Sequence, residues 1–130
     1  MRKERILLFI FLILMLIVLM PFTSAVIEGW SNWYDYSDPS SGGGDYETYD
    51  VVKSHVPTLC NTPIGVGGRT HGTHNDWTTT GQTMTCTPTE GLICNNADNP
   101  GQGIYGCFEY DVRFFCPTIC GSGIVGGLEQ

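Results

Sequence analysis

The sequence predicts a small, disulfide-stabilised, β-rich domain of the α+β class, with antiparallel strands and one short helix. Three features lead to this prediction: six cysteines downstream of an apolar N-terminus, one cleanly alternating segment near residue 110, and one short amphipathic segment near residue 50. A domain of about 100 residues lies near the lower end of what buries a self-sufficient core, so cross-links would supplement packing.

The N-terminus has the pattern of a secretory signal. Three basic residues in "MRKER" precede an apolar run from Ile6 to Met20, which as a helix would span about 22 Å, less than the roughly 30 Å of a bilayer core. Thr23 and Ala25 then supply the small residues that a signal peptidase requires. We therefore expect a signal peptide over 1–25, the alternative being an uncleaved membrane anchor, and a secreted, extracellular product.

The remaining chain is strongly acidic. We expect a cysteine-rich domain over 26–120 and a flexible tail over 121–130. Loss of the signal leaves three basic and twelve acidic residues, a net charge of −9. Such a surface argues against nucleic acid and anionic lipid as partners, and favours calcium, cationic partners or plain solubility.

One helix is predicted in the first half of the domain. After the loop "SSGGGD", Asp45 stands where an N-cap would, and the spacing of Tyr49 and Val52 predicts a helix over 46–55. Pro57 prevents its extension. The following "NTPIGVGGRTHGTHND" is rich in Gly, Thr and Asn without a period, which predicts a long surface loop or an irregular edge.

The second half is predicted to be β-structure. A three-residue loop over 89–91, with Gly91 in the left-handed conformation, would pair Pro88 with Leu92 and place Cys86 opposite Cys94. The alternation in "YGCFEYDVRFFC" then predicts a strand whose core face carries the following residues: Phe108, Tyr110, Val112, Phe114 and Cys116.

All the cysteines lie beyond the signal, so we expect them to form disulfides: Cys60, Cys86, Cys94, Cys107, Cys116 and Cys120. The hairpin favours a bond between Cys86 and Cys94. If its register differs, Cys94 is expected to bond Cys107 instead. Cys60 is expected to reach Cys116 or Cys120.

Six segments occur in an order that resembles the WxxW domain, the cysteine-rich module of gel-forming mucins and cartilage intermediate layer proteins. They are "WSNWYDYSDPS", "GDYET", Cys60 with "NTPI", "GQTMTC", "GLICNNAD" and "CFEYDVRFFCP". The resemblance covers about Trp30 to Pro117. It departs from the family at Ser37, where an acid is usual, and in having fewer cysteines than mucin copies.

The resemblance implies a secreted, non-catalytic module that stabilises or associates mucus or matrix polymers, sometimes with bound calcium. Its partners would be extracellular glycoproteins or other matrix or mucus components, with self-association as a further option. It also implies C-mannosylation of Trp30, the first tryptophan of "WSNW". We further expect Trp30 or Trp33 to pack beneath the apolar face of the Phe108–Phe114 segment.

A calcium site is predicted from oxygen-bearing side chains. The glycines after "WSNWYDYSD" would let the chain fold back so that carboxylates converge, and calcium takes six to eight oxygen ligands. The candidate ligands are Asp35, Asp38, Asp45, Asn96 and Asp98. The alternative is that Asp45 caps its helix and the others remain solvated.

Two other classes of function are less well supported by the residues. His71 and His74 with Asp76 could belong to a zinc site, but a catalytic zinc needs a third ligand and an activated water. We therefore do not expect an enzyme. A secreted disulfide-rich binding protein of the inhibitor, toxin or defence type is the alternative function.

Overall fold

The computed structural model describes residues 2–18 and 25–118 of the chain. Thr23, Cys120 and the tail predicted over 121–130 lie outside the described residues. Helix α1 comprises Arg2–Val18 and helix α2 comprises Tyr49–His55. Across 2–18 and 25–118, every helix is too short or too polar to cross a membrane.

Two three-stranded antiparallel sheets form the domain. Strands β1 (Gly29–Trp30), β3 (Gly65–Thr70) and β6 (Tyr110–Cys116) form one sheet in the order β1-β6-β3, and strands β2 (Gly44–Thr48), β4 (Met84–Thr87) and β5 (Gly91–Asn95) form the other in the order β2-β5-β4. The predicted fold class, a small disulfide-stabilised β-rich domain, is confirmed.

The core lies between the sheets. The buried side chains of Tyr110, Val112, Phe114 and Cys116 all come from one face of β6, as the alternation predicts. They pack in one cluster with Leu92 of β5 and other buried residues. Strand β6 therefore supplies the centre of the core.

The predicted helix begins too early in the sequence. Residues 44–48 pair along their whole length with β5 and form β2. The helix begins only at Tyr49, where Thr48 is the N-cap and its Oγ1 accepts a hydrogen bond from the amide of Val51. Asp45 is therefore a buried strand residue opposite Cys94, not a helix cap.

The segment predicted as a surface loop contains strand β3. The glycines of β3 let the strand lie very close to its neighbours. A Cβ on Gly68, for example, would be only 2.6 Å from Cδ1 of Leu92. A sequence rich in glycine gives no alternating pattern, so the strand is not visible from residue types alone.

The predicted bond between Cys86 and Cys94 is wrong. Gly91 does have a positive φ of 87°, but it already pairs with Thr87, so Cys86 stands opposite Leu92 and Cys94 opposite Met84. Diagonal positions of this kind are about 7–8 Å apart, too far for a disulfide. Cys94 instead bonds Cys107, which was the expectation for a different register.

The second disulfide joins Cys60 to Cys116, in agreement with the prediction for Cys60. It ties the segment after α2 to the end of β6. Among the described cysteines, Cys86 alone is not bonded to another.

Candidate functional site

Two carboxylates are buried side by side on strand β2. Asp45 and Glu47 point to the same face of the strand and neither is exposed to solvent. Oδ2 of Asp45 accepts a hydrogen bond from the amide of Tyr110 at 2.6 Å. Oε1 of Glu47 accepts from the amides of Tyr36, at 2.8 Å, and Ser37.

The second oxygen of each carboxylate has no such partner. Within 2–18 and 25–118, neither Oδ1 of Asp45 nor Oε2 of Glu47 makes a hydrogen bond, although both atoms are buried. A buried polar atom without a partner costs about 1–3 kcal/mol, and more when it is charged. One oxygen of each carboxylate therefore lacks a compensating donor among the described residues.

Burial and nearby negative charges make these carboxylates weak acids. Burial, followed by the nearby charge of Glu47, raises the pKa of Asp45 to about 8, despite the hydrogen bond from Tyr110. Burial likewise raises the pKa of Glu47 to about 7, against the hydrogen bonds from Ser37 and Tyr36. Without a cation, the fold thus favours protonation of both groups near neutral pH.

A second cluster, formed by Asp35, His71 and Asp111, adjoins this pair. Nδ1 of His71 lies 3.0 Å from Oδ2 of Asp35 and 2.7 Å from Oδ1 of Asp111, while Nε of Arg69 lies 2.8 Å from the other oxygen of Asp111. One ligand atom from each of these three residues lies within 4.8 Å of the others, an arrangement that could hold a metal ion.

The ionisation of this cluster depends on its contacts. The hydrogen bond with Asp111 raises the pKa of His71, and the charge of Asp111 adds to the effect. Burial raises the pKa of Asp35, and the charge of Glu109 raises it further. Several carboxylates therefore act on one another here, with Arg69 and His71 as the cationic groups in contact with them.

The structure separates the predicted calcium ligands. Asp35 joins His71 and Asp111, and Asp45 lies buried beside Glu47. Asp38 is exposed and accepts a hydrogen bond from the amide of Ser40. Calcium binding therefore remains a prediction. The acids now form two groups instead of one: Asp45 with Glu47, and Asp35 with Asp111.

The two remaining predicted ligands stabilise turns. The amide side chain of Asn96 donates to the carbonyl of Pro39 and accepts from the amide of Cys107. Asp98 is exposed and accepts from Asn95. Glu47, which was not among the predicted ligands, would have been found if "GDYET" had been interpreted as a strand, because Asp45 and Glu47 then share a face.

The two tryptophans of "WSNW" form a stack with arginines on the outer face of the first sheet. The guanidinium of Arg113 lies 4.3 Å from the ring centroid of Trp30 and 4.4 Å from that of Trp33, and Arg69 lies 4.2 Å from the ring of Trp33. Trp30 also meets Phe115 edge-on, with centroids 5.2 Å apart.

The prediction that a tryptophan packs beneath the core face of β6 is therefore wrong. Arg113 and Phe115 alternate with Tyr110, Val112 and Phe114 along β6, so the tryptophans cover the opposite face. The physical reason is that the aromatic rings can shield a charged guanidinium there, which the interior cannot accommodate without a partner. Trp30 remains 46% exposed.

Comparison with known proteins places these features in a family. Residues 30–116 match the family model described as the mucin-2 protein WxxW repeating region. The chain is 39% identical over 90 residues to rat mucin-2, covering 67% of this chain and 6% of that protein. It is 33% identical over 105 residues to human mucin-5B, covering 74% of this chain and 2% of that protein. The chain thus spans only a small fraction of these relatives.

Proposed function

Because the chain belongs to the family of the mucin-2 protein WxxW repeating region, we propose that it is a secreted, non-catalytic structural and interaction module of mucus or extracellular matrix. The observation that carries this proposal is the family match over residues 30–116, which contains both disulfides and all of both sheets except Gly29. The signal-like residues 1–25 and the disulfides support an extracellular location. The partners would be extracellular glycoproteins, mucins included.

We also infer that calcium completes the acidic interior. The buried, unpartnered oxygens of Asp45 and Glu47 support this inference, because carboxylate oxygens are the ligands that calcium prefers. Asp35 is the third ligand that we propose, since its charge raises the pKa of both buried carboxylates. A bound cation would supply the positive charge that these groups lack, and would so stabilise the folded chain.

We further propose that Trp30 carries a C-linked mannose. Its position in "WSNW" and its partial exposure support the assignment, since a mannose on the ring needs room at the surface of the folded chain. The mass of the secreted protein should then exceed that of its sequence by one hexose, located by fragmentation to Trp30. An unmodified Trp30 in secreted material would contradict this assignment.

Binding to mucin tests the function itself. We expect the purified secreted chain to co-sediment with polymeric mucin in calcium, and to do so less in chelator because the fold is then less rigid. A reduced and alkylated chain is the control, since it keeps the sequence but loses both disulfides. If the folded chain remains in the supernatant in calcium, or inhibits proteases instead, the proposed function is wrong.

A further inference from the structure

An open cleft of about 640 Å³ lies on the surface of the domain. Its walls come from the loop around Ser40, the turn over 70–75 that follows β3, and the segment over 103–109 that leads into β6. The volume is in the range of sites for small ligands. Asp45 and Glu47 do not line it.

The cleft carries polar groups that the fold does not use. The carboxylate of Glu109, the side-chain amide of Asn75 and the hydroxyl of Ser40 all line it. No side-chain hydrogen bond or ion pair that these groups make is found between residues 25 and 118. They are free to receive and donate hydrogen bonds to a ligand.

An exposed aromatic side chain stands at the mouth of the cleft. Tyr105 is 56% exposed and the adjacent Ile104 is 95% exposed, a costly arrangement that packing does not explain. The loop that carries them is fixed at its base: Gly106 accepts hydrogen bonds from Gly103 at 3.0 Å and from Gln82 at 2.8 Å, and the next residue is the disulfide-bonded Cys107. The phenol ring is thus presented by a closed loop.

We propose that this cleft binds an uncharged saccharide, such as a terminal hexose or N-acetylhexosamine of a glycoprotein. The apolar face of a sugar ring can pack on the Tyr105 ring, while its hydroxyls donate to Glu109 and accept from Asn75 and Ser40. This inference rests on the proposed function, since it names the chemistry through which the module recognises a glycoprotein.

The charges of the cleft favour an uncharged ligand. Asp38 and Glu109 both line it, so a sialylated or sulfated sugar would be repelled. A cationic peptide is disfavoured as well, because the two carboxylates share the cleft with His71 and with uncharged donors and acceptors such as Asn75 and Ser40. Two carboxylates are too little charge to select a polycation.

Binding of the secreted chain to immobilised saccharides tests the inference. The probes are N-acetylgalactosamine, N-acetyllactosamine and its sialylated form, with oligolysine as the peptide probe. We expect binding to the uncharged sugars, and a loss of about tenfold or more in affinity for Tyr105→Ala and Glu109→Gln. The matched controls Tyr36→Ala and Glu90→Gln change an exposed tyrosine and an exposed acid outside the cleft, and should leave the affinity unchanged.

Several outcomes would overturn the inference. The first is no binding to either uncharged sugar, and the second is tighter binding to the sialylated form or to oligolysine. The third is a loss of affinity in the control variants equal to that in the cleft variants. Co-sedimentation with mucin separates this failure from that of the proposed function. If Tyr105→Ala still co-sediments as well as the unchanged chain, the cleft is not the glycan site, but the module still associates with mucin.

Discussion

At the scale of single residues, the burial of Asp45 and Glu47 is a costly feature of the domain. Each carboxylate is fully buried and keeps one oxygen without a hydrogen-bond partner among the described residues. Removing a charged carboxylate from water is expensive unless a partner or a proton compensates. The two groups therefore make the stability of the fold sensitive to pH and to cations.

In the absence of calcium, stability should fall as the pH rises. The folded pKa values are about 8 for Asp45 and about 7 for Glu47, whereas unfolded carboxyls titrate near about 4. Between about pH 4 and about pH 8 the folded chain holds protons that the unfolded chain releases, so the free energy of unfolding decreases through this window. Chemical denaturation in chelator at several pH values measures the slope. Asp45→Asn should reduce it, and a flat profile for the unchanged chain would contradict the assignment.

Arg113 is expected to contribute through its two indole partners. Its Nε is buried without a hydrogen-bond partner in the described chain, so the rings of Trp30 and Trp33 are the groups that accommodate its charge. Arg113→Gln should lower the free energy of unfolding by about 1–3 kcal/mol, measured by denaturant titration. Arg113→Lys should recover part of the loss, because an ammonium keeps the charge but does not stack. Equal stability of the unchanged chain and the two variants would show that the stack does not stabilise the fold.

At the scale of elements, the hairpin between β4 and β5 depends on Gly91. Its φ is 87°, and a Cβ there would be 2.4 Å from the carbonyl oxygen of Glu47 on the neighbouring strand. Gly72 has a similar φ of 81° but open space around it. We therefore expect Gly91→Ala to be much more destabilising than Gly72→Ala, which should cost only about 1–2 kcal/mol of backbone strain. Thermal melts of the two variants test this, and similar losses would contradict the close contact.

The disulfides should differ in what they contribute. Cys60–Cys116 closes a separation of 56 residues and Cys94–Cys107 one of 13. On chain entropy alone, Cys60–Cys116 should add about 4 kcal/mol to the free energy of unfolding and Cys94–Cys107 about 3 kcal/mol. Denaturation of the two double Cys→Ala variants measures the difference. Peptide mapping that joins Cys86 to Cys94 would refute this pairing altogether.

At the scale of the whole molecule, the sequence was sufficient for the fold class and for the central strand. The alternation of β6 is explicit in its residues, because its inner side chains are large and apolar. Strand β3 was not predictable in the same way, since glycines that allow close approach of strands have no side chains to form a pattern. Strand β2 was missed because its inward residues are Asp45 and Glu47, and the usual rule assigns acids to the surface.

That exception to the rule coincides with the proposed calcium site. A segment whose core-facing positions are acidic contradicts local sequence reasoning, and such conflicts are expected where a site has to be built. The acids predicted from the loops, Asp38 and Asp98, are exposed and make only local hydrogen bonds. The proposed calcium site therefore consists of the buried pair and Asp35, without the loop carboxylates.

Thermal melting of the secreted chain over a calcium titration tests this claim most directly. We expect the melting temperature to rise with the calcium concentration. At a calcium concentration of one hundred times the dissociation constant, binding should add about 2.7 kcal/mol to the free energy of unfolding. Asp45→Asn and Glu47→Gln should abolish the rise and melt higher than the unchanged chain in chelator near neutral pH. Asp50→Asn, which changes an exposed acid on α2, should respond as the unchanged chain does. Identical melting of the unchanged chain in calcium and in chelator would contradict the account.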